Sequence, residues 1–273
     1  NIGEALIENF KNVKEIAKAK SEILNNVQKN GKVFLNRDDK FFSFLNKKAK
    51  LKNIKVITFG KSKKSDIHLV KTKYLGRQKT VVVSAKDQII KLSINNINIY
   101  NVLSSIAILK ELNLDLNKIT QVFKSVQPSE GRGKIYKIRR YKKRFTLIDE
   151  SYNANPFSVK NALNSFSKIK KNKFKKYLLL GDMLELGKKT NMYHKDLSQL
   201  INNSDIDKVF IKGEKCLFTY KNLKKNKRGN VFQAHEDVDL ILQNIIANHD
   251  YLMIKGSNAT GLNTISKIMI KGH

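Results

Sequence analysis

A chain of 273 residues with 54 lysines and arginines against 23 acidic residues carries a formal charge of +31 and holds one cysteine, Cys216. That length exceeds what one core usually fills, so two domains are expected; no apolar run approaches the ~20 residues a bilayer-spanning helix needs, and a single cysteine excludes an internal disulfide and fits a reducing, cytoplasmic setting. The lysines are spread over helix faces and loops without interleaved aromatics, so the charge reads as a solvated surface with a general preference for anions, and neither a specific nucleic acid nor membrane insertion is expected.

The opening, NIGEALIENFK, has no initiator Met and no basic stretch followed by an apolar one, which reads as a fragment without a secretory signal. Val13 to Val27 is an amphipathic helix candidate, with Val13, Ile16, Ile23, Leu24 and Val27 on one face at ~100° per residue. Lys20 falls in the middle of that face. A lysine there has three outcomes open: it snorkels, it meets a carboxylate, or it loses its charge and becomes chemically useful. Lys32 to Leu35 reads as a strand running into Asn36-Arg37-Asp38-Asp39, and Ile54 to Phe59 as another closed by Gly60. Ile67 to Tyr74, Val81 to Ser84 and Ile89 to Ile94 form an antiparallel patch. Helices follow over Ile99–Leu112 and about Leu116–Val126, the second with Asp115 as its cap. This half is mixed α/β.

Gln127 to Lys134, QPSEGRGK, breaks the pattern with Pro128, Gly131 and Gly133 and sets the domain boundary, giving domains of 1–130 and 131–273. Beyond it, Ile135–Arg139 and Arg144–Ile148 pair as strands. The stretch LIDESYNANPFSVK then reads strand, polar loop and helix start, with Pro156 in a first helical turn where its missing N–H costs nothing. Such a loop lies at the carboxyl end of a strand, where α/β sheets bind ligands, and a helix start favours negative charge. From there helices Pro156–Ile169, Lys188–Ile201, Lys215–Leu223, Val238–Ala247 and about Thr260–Ile270 alternate with strands Tyr177–Leu180, Lys208–Ile211, Asn230–Gln233 and Tyr251–Ile254. The alternation implies a parallel, Rossmann-like sheet with helices on both faces. Gly181-Asp182 and Lys255-Gly256-Ser257 fall on its ligand-binding edge.

Gly60-Lys61-Ser62 is not a phosphate loop, because position 55 is Lys where GxxxxGK[ST] requires glycine; it reads as a strand-ending turn. The five histidines show no metal-ligand spacing.

Taken together, IENFKNVKEIAKAKSEI, LNRDD, NVLSSIAI, PSEGRGK, DESYNANP, GDMLELG and IKGS resemble the ATP-dependent Mur ligases over essentially the whole chain, beginning partway into the family's central ATPase domain. DESYNANP followed about 30 residues later by GDMLELG implies the branch that joins D-alanyl-D-alanine to a UDP-N-acetylmuramoyl-tripeptide. The fold implied is the C-terminal part of a mixed-sheet ATPase domain followed by a Rossmann-like α/β domain. The implied reaction uses ATP and Mg²⁺: the tripeptide carboxylate takes the γ-phosphoryl group to give an acyl phosphate, and the dipeptide amine displaces phosphate, the protein positioning and neutralising charge.

Residue by residue, the resemblance makes Lys20 the lysine that is carbamylated to hold Mg²⁺. Asn36 and Arg132 come near the adenine, and Glu150 stands where the family has a nucleotide-contacting Asp. Asn153 and Asn155 fall where the C-terminal domain meets a cleft, and Asp182 and Ser257 near the amino-acid substrate. The implied protein is a monomer. Leu6 replaces a histidine of the metal site and Tyr100 a common histidine before Asn-Val. The family's phosphate loop and UDP-binding domain have no counterpart among these residues. Rival readings are a related ligase such as folylpolyglutamate synthase, a basic nucleic-acid-binding protein on the same fold, and a non-catalytic remnant. The 273 residues alone are expected to bind nucleotide weakly and to show no ligase turnover, an expectation that D-alanyl-D-alanine-dependent release of ADP would refute.

Overall fold

A computed structural model describes residues 2–3, 8, 10–75, 78–95, 97–170, 172–233 and 235–271. The chain divides into two compact units, meeting between Pro128 and Ser129.

The first unit is built on a five-stranded sheet: β1 (Lys32–Asn36), β2 (Lys55–Gly60), β3 (Ile67–Leu75), β4 (Gln78–Ala85) and β5 (Gln88–Ile94), in that spatial order. The first three run parallel and the last three antiparallel. Strict alternation makes β4 and β5 two-faced. Val81, Val83, Ile90 and Leu92 pack against α3 (Ile99–Glu111), whereas Ile89 on the other face is exposed. α4 (Leu116–Ser125) follows, capped by Asp115.

Two elements depart from the sequence reading. The helix expected over Val13–Val27 is α-helical only as α1 (Val13–Ser21), and the chain then tightens into a 3-10 turn over Glu22–Asn26. The ~120° step of that turn rotates Ile23 into solvent, and the buried side becomes Ile16, Ala17, Ser21 and Leu24. Lys20, within α1, is exposed although it lies between Ile16 and Ala17 in helical angle. The second departure is α2 (Phe42–Leu51), which the sequence reading left out. Phe42, Leu45 and Ala49 recur at helical spacing in a short, lysine-rich stretch, and Ala49 alone is fully buried, packed with Leu24 and Ile54. Cations over rings support it as well, with Arg37 5.1 Å from the Phe42 centroid and Lys48 5.1 Å from that of Phe44.

The second unit carries a six-stranded sheet in the order β10-β9-β8-β11-β7-β6, from β6 (Lys134–Arg140), β7 (Lys143–Glu150), β8 (Lys176–Gly181), β9 (Lys208–Lys212), β10 (Arg228–Phe232) and β11 (Tyr251–Lys255). All run parallel except edge strand β6, which pairs antiparallel with β7. β8 and β11, at the centre, are buried along their whole length, as strands covered on both faces must be. One face packs α5 (Pro156–Ser167), α6 (Thr190–Asn202) and the short α7 (Leu217–Lys221); the other packs α8 (His235–Ile245) and α9 (Leu262–Lys271). α7 is shorter than the helix expected over 215–223.

In the first unit the C-terminus of α3 is tied to the amino edge of its sheet by Glu111. That carboxylate, 9% exposed, receives Lys86 at 2.7 Å and Lys32 at 2.9 Å, with Lys55 at 3.5 Å. Hydrogen bonds from Lys86 and then Lys32 hold its pKa down from 4.5 to about 2. The folded state gains from the ionised carboxylate above pH ~4.5 and loses that gain as the pH falls toward 2. Because the lysines are 37–59% exposed, Glu111→Gln is expected to cost only about 1–2 kcal/mol near neutral pH. Urea denaturation should show that deficit shrinking to nothing in acid.

Candidate functional site

In the first unit, β1 and β2 end side by side, with Asn36 opposite Phe59. Asn36 is half-buried, and its Oδ1 accepts the Asp38 N–H at 3.0 Å. Asp38 in turn spans the two strand ends, accepting the N–H groups of Lys61 at 2.5 Å and Ser62 at 3.1 Å. The amides of the Gly60-Lys61-Ser62 turn are thereby spent on a carboxylate. Lys61 Nζ lies 5.4 Å from the Tyr100 ring centroid, and burial, then the charge of Asp38, pushes the Tyr100 hydroxyl pKa up. Lys20 stands on the last turn of α1. Leu6 lies outside the described residues. Among the described residues no three histidines, cysteines or carboxylates converge as a metal site, and the role of Lys20 as a carbamate rests on resemblance alone.

In the second unit, the parallel strands deliver Glu150, Asn153, Asn155, Asp182 and Ser257 to one carboxyl edge, where the antiparallel β6 begins just after Arg132. Buried Asp149 organises the loop after β7. Its carboxylate accepts the Gly131 N–H at 2.7 Å and the Ser151 hydroxyl at 2.6 Å, and its carbonyl accepts Gly133 N–H at 2.7 Å. Gly131 sits at φ +70°, and a Cβ there would come within 2.6 Å of the Tyr152 side chain, so the GRG turn needs glycine. This turn lays the exposed Arg132 guanidinium over the Tyr152 ring, 4.3 Å from its centroid. Asn155 is the N-cap of α5, accepting Ser158 N–H at 2.8 Å in a capping box, with Pro156 in the first turn. Asn153 is exposed, its Oδ1 held by the Ala154 N–H at 2.7 Å.

Asp182 and Ser257 are buried and turned inward. Asp182 accepts the Cys216 N–H at 2.8 Å and the Ser257 N–H, through its carbonyl, at 2.9 Å. Its carboxylate fills the space a Cβ of Gly213 would need, at 2.5 Å. The Ser257 hydroxyl accepts from Leu184 N–H at 3.0 Å and donates to the Ala154 carbonyl at 3.3 Å. These two residues tie the loops after β7, β8, β9 and β11 to one another. The groups with surface to offer a ligand are Arg132, Tyr152, Asn153 and part of Glu150.

The sequence reading missed Lys255. It ends β11 with 2% of its surface exposed. Its ammonium donates to the Asn153 carbonyl at 2.6 Å, and to the Glu150 carbonyl and carboxylate at 3.3 Å each. Burial pushes its pKa down, against the pull of Glu150. The signal available was a lysine closing an apolar strand, YLMIK, which cannot stay buried without oxygen partners.

Two family models match the chain: "Mur ligase middle domain" over residues 1–109 and "Mur ligase, glutamate ligase domain" over 133–258. A UDP-N-acetylmuramoyl-tripeptide–D-alanyl-D-alanine ligase of Rickettsia prowazekii is 27% identical over 271 residues, 97% of this chain and 59% of that protein. The ligase of the same name from Buchnera aphidicola subsp. Baizongia pistaciae is 29% identical over 276 residues, 99% of this chain and 58% of that protein. The chain thus spans somewhat under two thirds of the length of the curated relatives it matches. Among solved structures, the MurF ligase of Thermotoga maritima in complex with ADP superposes with a TM-score of 0.80 at 19% identity, covering 99% of this chain and 60% of that one. Mycobacterium tuberculosis folylpolyglutamate synthase does so with a TM-score of 0.67 at 12% identity, covering 94% and 59%. At these identities the superpositions show the fold alone.

Lys255 is the residue whose loss should be felt most at this edge. Lys255→Met strands a carboxylate and two carbonyls together, and a loss of about 3 kcal/mol in urea denaturation is expected. The double variant with Glu150→Gln should lose less than the sum of the two single changes.

Proposed function

This chain belongs to the Mur ligase family, and on that premise we propose that it is the middle and C-terminal part of an ATP-dependent ligase that joins D-alanyl-D-alanine to a UDP-N-acetylmuramoyl-tripeptide. The observation that carries this reading is that the relatives aligned over nearly all of the chain bear the name of that ligase. The pair DESYNANP and GDMLELG supports it. A folylpolyglutamate synthase is the second reading, favoured only by a fold likeness with a lower TM-score, 0.67 against 0.80.

In this reaction a carboxylate oxygen of the tripeptide attacks the γ-phosphorus of ATP, and the bond to the β–γ bridging oxygen breaks to release ADP. The neutral amine of D-alanyl-D-alanine then attacks the acyl carbon, and the C–O bond to phosphate breaks from the tetrahedral intermediate. Phosphoryl and acyl transfer of this kind ask the protein for placement and charge neutralisation rather than a covalent nucleophile. Arg132, stacked on Tyr152 and free to face solvent, is suited to the nucleotide, as are Asn36 on the first unit's strand-end turn and Glu150. Asn153 offers an amide to the acceptor side. Asn155, Asp182 and Ser257 act by fixing the loops that carry it. No transmembrane role is invoked: among the described residues no helix is long and apolar enough to cross a membrane.

The test is ADP release and product analysis with the polypeptide that carries these residues together with a phosphate loop. With UDP-N-acetylmuramoyl-tripeptide and ATP, release that depends on D-alanyl-D-alanine and yields an amide-linked pentapeptide is expected. Release driven instead by glutamate on a folate would overturn the assignment. Arg132→Ala is expected to cost about 10–100-fold in kcat/KM, the loss of one charge-assisted contact.

A further inference from the structure

His194 lies on α6 with no exposed surface, and the reaction outlined above makes no use of it. Its Nε2 accepts the Met183 backbone N–H at 3.1 Å. Its Nδ1 is buried without a hydrogen-bond partner. An imidazole that accepts through Nε2 carries its proton on Nδ1, so the backbone selects one neutral tautomer. A second proton would sit on Nε2 facing another N–H, and the bond to Met183 would be lost. The main-chain carbonyl of His194 is anchored separately, accepting the Thr219 hydroxyl at 2.6 Å, so the residue is held in place from the backbone side.

Met183 stands between two groups that hold Ser257. Asp182 O, one residue earlier, accepts the Ser257 N–H, and Leu184 N–H, one residue later, donates to the Ser257 hydroxyl. That hydroxyl reaches on to the Ala154 carbonyl, in the loop that presents Asn153. A change at Met183 N is therefore transmitted to both contacts at once. Burial lowers the pKa of His194, with Asp182 opposing and Lys215 assisting. The adjoining elements also carry the Cys216 thiol, pushed up by burial, the half-buried Tyr220, and the exposed Lys160, Glu185, Lys188, Lys189, Glu214 and Lys221.

We propose that His194 is a positioning residue: as a neutral acceptor it sets Met183 so that the flanking groups hold Ser257, and the acceptor side of the site is assembled only while the imidazole is neutral. The inference rests on the ligase reading for its substrate and on the hydrogen bonds alone for its mechanism.

Glutamine separates the two properties of the histidine, since its Oε1 accepts at a similar reach and does not titrate, whereas methionine offers no acceptor of comparable strength. Amide exchange followed by NMR on the whole chain tests this. In the wild type, Leu184 and Ser257 should lose about tenfold in protection as the imidazole charges, the equivalent of one buried hydrogen bond. His194→Gln should keep that protection across the same pH range. His194→Met should lack it at every pH, with the β8 amides still protected as the sign of an intact fold. Parallel loss in the wild type and His194→Gln on acidification would overturn the proposal, as would full protection of Leu184 and Ser257 in His194→Met. Should His194→Met fail to fold, the comparison of wild type with His194→Gln decides. Titration with D-alanyl-D-alanine separates this from the ligase reading. No response of the wild type, with the exchange pattern as expected, counts against the ligase. An equal response in wild type and His194→Met counts against His194.

Discussion

An ammonium taken out of water must be given oxygen, and the architecture of the second unit follows from how three lysines meet that demand. Lys176 at the start of β8 donates to the Phe166 carbonyl at 3.0 Å and to Asp205 at 2.7 Å, closing the C-terminus of α5. Lys227 donates to the carbonyls of Ser204 and Ile206 at 2.8 and 2.7 Å, closing the turn after α6. Lys255 does the same at the opposite edge with Glu150 and Asn153. Carbonyls at helix and loop ends lack partners of their own, so each buried cation and each frayed end satisfies the other. In a chain with 54 basic residues, most lysines need no such arrangement because they remain in water.

This division also explains what could be read from the sequence. Alternation in β4 and β5, the all-apolar runs of β8 and β11, and the strand-helix rhythm after Pro128 all come from burial, which leaves a periodic trace. The helix start at Pro156 and the GRG turn are local chemistry and were equally legible, whereas Asn155 was read as a cleft residue and proved to be the cap. The orientation of side chains at the strand ends was not. Asp182 and Ser257 lie on the expected loops, yet their polar atoms face neighbouring loops, because their partners Cys216, Leu184 and Ala154 come from other strand ends. Lys255 was in view within IKGS, but nothing local reveals that its ammonium folds back on the loop after β7. Ile23 was misplaced for a different reason: a single angular step was carried through a segment that changes from α to 3-10 geometry.

The carboxyl edge of the second sheet divides into exposed groups and the buried supports that carry them. Arg132 and Asn153 are at the surface, while Asp149, Asp182, Ser257 and Lys255 beneath them are buried and bonded. A solved structure at 19% identity shares the fold with a TM-score of 0.80.

The antiparallel edge strand β6 has a colloidal consequence. A sheet margin with unpaired amides is an open template for another chain. Here the strand reads KIYKIRR, and Lys137 and Arg139 alternate with a buried Ile138. Two copies approaching margin to margin would bring like charges face to face at the spacing of paired strands, so the exposed rim repels its own kind even where the backbone would accept it.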